Sequence, residues 1–216
     1  FWISSLYSVF LKWADIVEEF LNSKDDPEQL QNFTNSWLAE AWEDTKLKTS
    51  EDLVMERQTE LPEFIVPDWA KLITAGVDVQ ETSLYYSIRA FGDYTTSQNI
   101  AHGQVLSFAD IEQIMNSEFQ TEDGRNMLVN LTLIDSGYQP DATYDFCIDN
   151  SEWAMPCKGA SNPMADRYRI SKVDKQDSKA YGMQLVLVDG EQFKDSIASR
   201  MKRENGIGSW MVYKGC

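Results

Sequence analysis

One stretch decides how this chain folds: Leu72-Ile73-Thr74-Ala75-Gly76-Val77-Asp78-Val79-Gln80. Its near-continuous run of apolar residues is typical of a central strand. Asp78 stands near the end of that run. Because an unpaired buried carboxylate is costly, this residue needs a partner at the end of the strand.

A second stretch repeats the arrangement, in Leu131-Thr132-Leu133-Ile134-Asp135-Ser136-Gly137-Tyr138. The residues from Met127 to Ile134 predict a strand buried on both faces, and Asp135 follows it. A divalent metal ion is one partner that two such carboxylates can share. Asp78 and Asp135 therefore define a metal site if their strands are neighbours.

The elements around these stretches predict that the strands are neighbours. Strands over 72–80, 83–91 and 97–106 are separated by short turns, so they form an antiparallel meander. A helix capped by Ser107 leads to the fourth strand, and such a crossover commonly places that strand parallel to the first and beside it. This order resembles the ribonuclease H-like architecture, an α/β fold with a mixed sheet flanked by helices.

The later elements continue the same alternation. A helix is predicted over 140–148, short strands over 153–155 and 184–188, a helix over 192–203 and a last strand over 210–213. Residues 158–180 are polar and are predicted to be irregular. This loop carries basic residues interleaved with tyrosines, a composition that suits contact with a DNA backbone and equally suits a solvated loop.

Residues 1–68 differ from the rest and predict a helical arm. Apolar residues recur at helical spacing over 8–22. A second helix is predicted to begin at Asp26-Pro27 and a short third one at Ser50. The segment is rich in Trp and has more apolar surface than it can bury alone. The sequence therefore predicts an arm or linker over 1–68 and an α/β domain over 69–216.

The composition excludes several classes of protein. The 216 residues carry a net charge of −16, which argues against a passive nucleic-acid binder but not against a nuclease that uses metal ions. No apolar run approaches the roughly 18 residues of a membrane span. Three cysteines without a Cys-x-x-Cys pair argue against a zinc site and suit a reducing cytoplasm. The single histidine, His102, excludes mechanisms that need two.

Adjacent carboxylates suit Mg²⁺ or Mn²⁺. Two such ions about 3.5–4 Å apart can activate a water and stabilise the leaving oxygen in phosphodiester cleavage. A third acid is normally needed, and Asp189, which ends a later strand, is the candidate by position. Glu191 and Asp195 follow closely. Each is also explained as a residue at a helix N-terminus, just as Asp78 and Asp135 taken singly are explained as turn formers.

Together these residues resemble the large terminase subunit of tailed bacteriophages, in its lambda-like branch. The resemblance covers nearly the whole chain and is strongest at 72–80 and 134–138. It extends to four further stretches: Ser5-Leu6-Tyr7-Ser8, Phe33-Thr34-Asn35-Ser36-Trp37-Leu38-Ala39-Glu40-Ala41-Trp42-Glu43, Cys157-Lys158-Gly159 and Lys194-Asp195-Ser196-Ile197. Lys158 and Lys194 are candidates for contacts with DNA phosphates.

The resemblance implies a DNA-packaging motor with an N-terminal ATPase domain and a metal-dependent nuclease domain that cleaves concatemeric viral DNA in the bacterial cytoplasm. The implied partners are double-stranded DNA, the small terminase subunit, the portal or procapsid, and the ATPase domain. Asp78 and Asp135 would be the family's first two acidic positions. No Gly-x-x-x-x-Gly-Lys-Ser/Thr loop is present, so this chain lacks the ATPase. The family's last acid is expected on a late helix, beyond Cys216, so Asp189 is a stand-in.

Two other functions fit parts of the sequence. The helical arm suits a non-catalytic docking module of the packaging motor, with an incomplete nuclease site. A sugar-kinase or actin-like ATPase shares the strand order, but it needs a glycine-rich phosphate loop after the first strand. Here Asp78 is followed by Val79-Gln80-Glu81-Thr82, which contains no glycine.

Overall fold

The structure, a computed structural model, describes residues 4–24, 30, 32–40, 51–176 and 178–216. It divides the chain into two units, Phe1–Lys48 and Thr49–Cys216. The second unit includes part of the predicted arm, because Gln58 forms a β-bridge with Val212. Residues 51–68 therefore lie with the sheet.

In the first unit, α1 (Trp13–Ser23) follows a 3-10 turn at Ser5–Tyr7. Residues 30, 32 and 33 are also α-helical and lead into a π-helical turn at Thr34–Leu38. The helix α1 confirms most of the one predicted over 8–22. The start of the second predicted helix, at Asp26-Pro27, lies outside the described residues. Within the unit, the rings of Phe20 and Phe33 pack 5.7 Å apart.

The second unit is built on an eight-stranded mixed sheet. Its helices are α2 (Glu51–Met55), α3 (Phe108–Met115), α4 (Pro140–Asp149) and α5 (Gly190–Met201). Its strands are β1 (Leu72–Val79), β2 (Leu84–Phe91), β3 (Ser97–Val105), β4 (Phe119–Gln120), β5 (Asn126–Met127), β6 (Val129–Asp135), β7 (Ala154–Gly159), β8 (Tyr168–Lys172), β9 (Gln184–Val188) and β10 (Trp210–Val212). The β4–β5 pair forms a separate small sheet.

The strand order confirms the predicted architecture. The sheet runs β10-β3-β2-β1-β6-β7-β9-β8. The first three strands form the antiparallel meander, and β6, β7 and β9 continue parallel to β1. The domain is therefore a ribonuclease H-like mixed sheet with flanking helices. No helix of the described residues has the length and apolar content needed to cross a membrane.

The prediction that 158–180 is irregular is wrong in two places, the first being Lys158 and Gly159, which are the last residues of β7. The strand β8 lies in this segment and pairs antiparallel with β9 at the edge of the sheet. Its side chains are all exposed or half-buried. The residues of β8, Tyr168-Arg169-Ile170-Ser171-Lys172, do alternate between apolar and polar side chains, but the run is short and the segment around it is polar, so its composition predicts a loop.

The helices α3 and α4 cover one face of the sheet. The helix α3 begins with a capping box, in which Ser107 and Asp110 each accept a hydrogen bond from the other's backbone N–H, at 3.3 and 3.0 Å. Phe108 of α3 packs against Phe146 of α4, with ring centroids 4.9 Å apart. The core forms between these helices and the buried side chains of β1, β2, β3 and β6.

The opposite face of the sheet is more open near β1 and β6. Ile73 and Val77 of β1 are buried, whereas Leu72 and Asp78 on the other face are exposed. The prediction that the strand from Met127 to Ile134 is buried on both faces is therefore wrong, because Leu131 of β6 also lies exposed. The two strand-end aspartates stand on this open face.

Candidate active site

Asp78 and Asp135 lie side by side at the ends of two parallel strands. The ladder between β1 and β6 pairs Val77 with Ile134, and the aspartates are the next residue on each strand. Since paired residues of a ladder point to the same face, both carboxylates project from the open face, opposite the buried Val77 and Ile134. Neighbouring strands are about 4.8 Å apart, a separation that one cation can bridge.

Each carboxylate is fixed through one of its oxygens. Gln80 Nε2 donates to Asp78 Oδ2 at 2.6 Å, and the Gly137 backbone N–H donates to Asp135 Oδ1 at 3.1 Å. Both donors come two residues after the aspartate, so they are set by the local chain. In the part of the chain that the structure describes, no donor reaches the second oxygen of either carboxylate. These oxygens are open to a ligand.

Two further side chains flank the pair. The hairpin register places Tyr85 of β2 opposite Asp78, and the ladder to β7 places Cys157 opposite Asp135. Burial, and after it the charge of Asp135, raises the pKa of the Cys157 thiol to about 12. The thiol is therefore protonated at neutral pH, and sulfur is a softer ligand than the oxygens that Mg²⁺ and Mn²⁺ prefer. The short hairpin after Val79 predicts the position of Tyr85, whereas no sequence signal predicts the register of Cys157.

The donor set suits a hard divalent cation. Mg²⁺ and Mn²⁺ prefer carboxylate oxygens, and Mg²⁺ is often held by one or two of them together with water and substrate phosphate. Among the described residues, no group of three or more His, Cys, Asp and Glu side chains is arranged to hold a metal ion. The described residues therefore supply two carboxylates to a cation of this kind.

Sequence comparison places the chain in a known family. The family described as "Terminase large subunit gpA, endonuclease domain" matches residues 1–216. The chain belongs to this family. That membership confirms the resemblance seen in the sequence, and it identifies the chain as belonging to the terminase endonuclease domain family.

Two relatives show how much of a terminase the chain represents. It is 26% identical over 170 residues to the large terminase subunit of Escherichia phage lambda, covering 74% of this chain and 26% of that protein. It is 24% identical over 213 residues to the large terminase subunit of Enterobacteria phage P21, covering 94% of this chain and 33% of that protein. The terminase domain thus spans a third or less of these relatives. No solved structure matches it.

In this terminase domain Asp189 is not part of the acidic pair. It is the N-cap of α5, and its Oδ1 accepts from the Gln192 backbone N–H at 3.2 Å. Its Oδ2 accepts from the Met164 backbone N–H at 2.9 Å and from Gln192 Nε2 at 3.0 Å. These bonds, with that of Met164 first, lower the pKa of the Asp189 carboxyl.

The position of Asp189 in the sheet also keeps it from the pair. It is only 6% exposed, and β7 lies between its strand and the strand of Asp135. The structure therefore brings Asp78 and Asp135 together and leaves the predicted third ligand, Asp189, as a saturated helix cap. The nearby Glu191 is paired with Lys194.

The two predicted phosphate-contacting lysines also lie apart from the pair. Lys158 follows Cys157 on β7, so strand alternation directs it to the face opposite Asp135. It lines a cavity of about 600 Å³ at the β7–β8 side of the sheet. Lys194 of α5 pairs with Glu191 at 2.8 Å, and this bond raises the pKa of the lysine.

Proposed function

We propose that this terminase domain is a metal-dependent endonuclease that cleaves double-stranded phage DNA during packaging, in the host cytoplasm. The observation that carries the proposal is the Asp78–Asp135 pair, with one fixed and one open oxygen on each carboxylate. Membership of the terminase endonuclease family supports the same reaction. The substrate we propose is concatemeric viral DNA.

Asp78 and Asp135 are the residues that would hold Mg²⁺ or Mn²⁺, which we propose to bind as two ions. Bound there, the ions supply Lewis-acid activation of water and charge stabilisation at the phosphodiester. Gln80 and Gly137 fix one oxygen of each carboxylate. This leaves the other oxygens oriented before an ion arrives, which reduces the reorganisation that binding requires.

The proposed reaction does not require a histidine. His102, the single histidine of the sequence, lies on β3, two strands from β1 in the sheet order. Its Nδ1 lies 3.1 Å from the Tyr213 hydroxyl, and the two rings stack. The histidine therefore has a structural partner on another part of the sheet, and the acidic pair does not depend on it.

Plasmid nicking in Mn²⁺ tests this function. We expect Asp78→Asn and Asp135→Asn to lose cleavage by about 100-fold or more, because loss even of a second-shell partner typically costs 10–100-fold. Asp145→Asn is the matched control, since Asp145 is exposed on α4. Cleavage by Asp78→Asn at the wild-type rate would remove the pair from the reaction.

A second function is favoured by a separate observation, the apolar surface around α1. Phe10 and Trp13 are 94% and 68% exposed, so this unit leaves large apolar side chains uncovered. Exposed apolar patches of this kind mark sites of protein association. The alternative is therefore a docking module that contacts the ATPase domain, the small subunit or the portal, and it requires no metal ion.

A further inference from the structure

Positive charge is concentrated in one segment of an otherwise acidic chain. Residues 167–203 contain nine Lys and Arg against five Asp and Glu, a net charge of +4. The remaining residues contain ten basic and 30 acidic side chains, a net charge of −20. Clustering of this kind is the electrostatic signature of a surface that meets a polyanion.

A groove of about 420 Å³ lies within this segment, between α5 and the residue that precedes β8. The residues of α5 that line it recur every three or four positions, so they form one stripe of the helix. The lining residues include Arg167, Asp195, Ser196, Ser199, Arg200 and Arg203. The groove therefore offers three guanidinium groups and two hydroxyls to a ligand.

Backbone carbonyls hold two of the three arginines in place. Arg200 Nη1 donates to the carbonyls of Tyr94 and Thr95 at 3.3 Å. It also donates to the Gly208 carbonyl at 3.4 Å, and Arg203 Nη1 donates to the same oxygen at 3.2 Å. Because a guanidinium has five N–H donors, each group keeps donors for a ligand.

The three arginines form a cluster of like charges. Burial, followed by the charges of Arg203 and Arg167, lowers the pKa of Arg200. Among the described residues, no carboxylate forms a salt bridge with any of the three, although Asp195 lines the same groove. A bound anion relieves such repulsion and favours the charged guanidinium.

Arg167 lies at the edge of the sheet that carries the acidic pair. The Asp189 backbone N–H, at the end of β9, donates to the Arg167 carbonyl at 2.8 Å. Since β9 and β6 run parallel, their C-terminal ends share one edge of the sheet. Two strand spacings, roughly 10 Å, separate the Arg167 end of the groove from β6, a span of about three base pairs of B-DNA at roughly 3.4 Å each. From there the groove leads away from the pair, because Arg200 bonds to Tyr94 and Thr95 in the β2–β3 turn, at the opposite edge of the sheet from Asp78.

We propose that the groove lined by Arg167, Arg200 and Arg203 binds phosphates of the DNA backbone and so positions the duplex for the Asp78–Asp135 pair. The inference rests on the proposed function, because it names the surface that holds the substrate. Arginine forks and hydroxyls match the oxygens of a phosphodiester. From Gln192 to Arg200 the groove follows roughly 12 Å of α5, enough for more than one phosphate.

DNA binding by the 216-residue chain tests the proposal in EDTA, where no metal-dependent cleavage occurs. A fluorescent duplex and polarisation anisotropy report the Kd of wild type, Arg167→Glu and Ser199→Asp. We expect both variants to weaken binding by about 10-fold or more, and Arg167→Glu to reduce the salt slope by about one. Lys179→Glu is the control, because it makes the same charge change in the same segment but outside the groove.

Two further measurements separate the sources of phosphate and the two proposals. Inorganic phosphate, titrated at constant ionic strength, should compete only weakly with DNA. If the chain instead binds inorganic phosphate through Arg167 and does not bind DNA, the groove is a free-phosphate site and the proposal is overturned. Equal DNA affinities of Arg167→Glu and Lys179→Glu would also overturn it.

Arg167→Glu should raise the KM for cleavage, whereas Asp78→Asn should abolish cleavage and keep DNA affinity. If wild type binds DNA through Arg167 but does not cleave it, only the proposed nuclease activity is rejected and the DNA-binding groove stands.

Discussion

Three aspartates of this domain end parallel strands of one sheet, yet they occupy two different chemical environments. Asp78 and Asp135 each accept one hydrogen bond and keep an open oxygen. Asp189 accepts three hydrogen bonds and is 6% exposed. A position at the end of a strand therefore does not by itself make a ligand, since the number of donors that reach the carboxylate separates the two cases.

The residues after each strand explain the difference. A helix begins directly after Asp189, so the backbone N–H of Gln192 converges on its carboxylate, as at any N-cap. Asp78 is followed by a hairpin, in which Gln80 N–H bonds to the Ser83 carbonyl instead. The helix α4 begins only at Pro140, too far along the chain for its first N–H groups to reach Asp135. Asp189 stabilises the fold, whereas the pair stays available.

The comparison is tested most strongly by metal binding. We expect calorimetric titration with Mn²⁺ to show binding by wild type and by Asp189→Asn. In Asp78→Asn and Asp135→Asn the Kd should rise by about 100-fold or more, since each loses an anionic ligand. Binding should also raise the melting temperature of wild type and Asp189→Asn, because a ligand of the native state stabilises it.

Two outcomes contradict that expectation in different ways. Loss of Mn²⁺ binding in Asp189→Asn would show that Asp189 is a metal ligand after all, and that its role as a helix cap does not exclude it from the site. Absence of binding in wild type, together with tight binding to the ATPase domain, would instead favour the docking module.

The cap should appear as stability, with a smaller effect. We expect Asp189→Ala to lower the melting temperature by a few degrees, because the Met164 and Gln192 N–H groups lose their acceptor. Since hydrogen bonds lower the Asp189 pKa, its charge stabilises the fold fully above the unfolded value of about 3.9. This contribution is lost as the pH falls through the lower folded-state pKa.

Thermal unfolding followed by circular dichroism between pH 7 and pH 3 measures this effect. The difference between wild type and Asp189→Ala should shrink in the most acidic samples. Asp145→Ala, which alters an exposed residue of α4, is the control. Cleavage by Asp189→Ala well below its melting temperature should match wild type. A variant as stable as wild type but inactive would assign Asp189 to the reaction instead.

Local patterns and topological rules suffice for the central half of the domain. The apolar runs ending at Asp78 and Asp135 mark β1 and β6, and the preference for parallel crossovers makes them neighbours. The strand β8 escapes such reasoning because it is a short edge strand within a polar segment, so its brief apolar alternation does not stand out.

The chemistry of Asp189 and of the groove also escapes sequence reasoning, because both depend on distant parts of the chain. The Met164 N–H that saturates Asp189 lies 25 residues before it. Arg167 meets Arg200 and Arg203 only after β8 and β9 have paired and α5 has formed. Spacing along the chain carries no signal for contacts of this kind, whereas Gln80 and Gly137 lie two residues from their aspartates.

The smallest expected effect tests how closely the open oxygen of Asp135 is positioned. A Cβ at Gly137 would lie 3.3 Å from Asp135 Oδ2 and 3.4 Å from Oδ1. Gly137→Ala keeps the backbone N–H donor but makes the carboxylate shift by a few tenths of an ångström. We expect the Kd for Mn²⁺ to rise by less than about 10-fold. Loss of a hydrogen-bonding partner of a metal ligand typically costs about 10-fold or more, and here the partner is kept. Gly159→Ala, where a Cβ meets no atom within 4 Å, is the control in calorimetry. Equal affinities in both variants would show that the carboxylate tolerates displacement, so that its position at the strand end, rather than the Gly137 contact, sets the site.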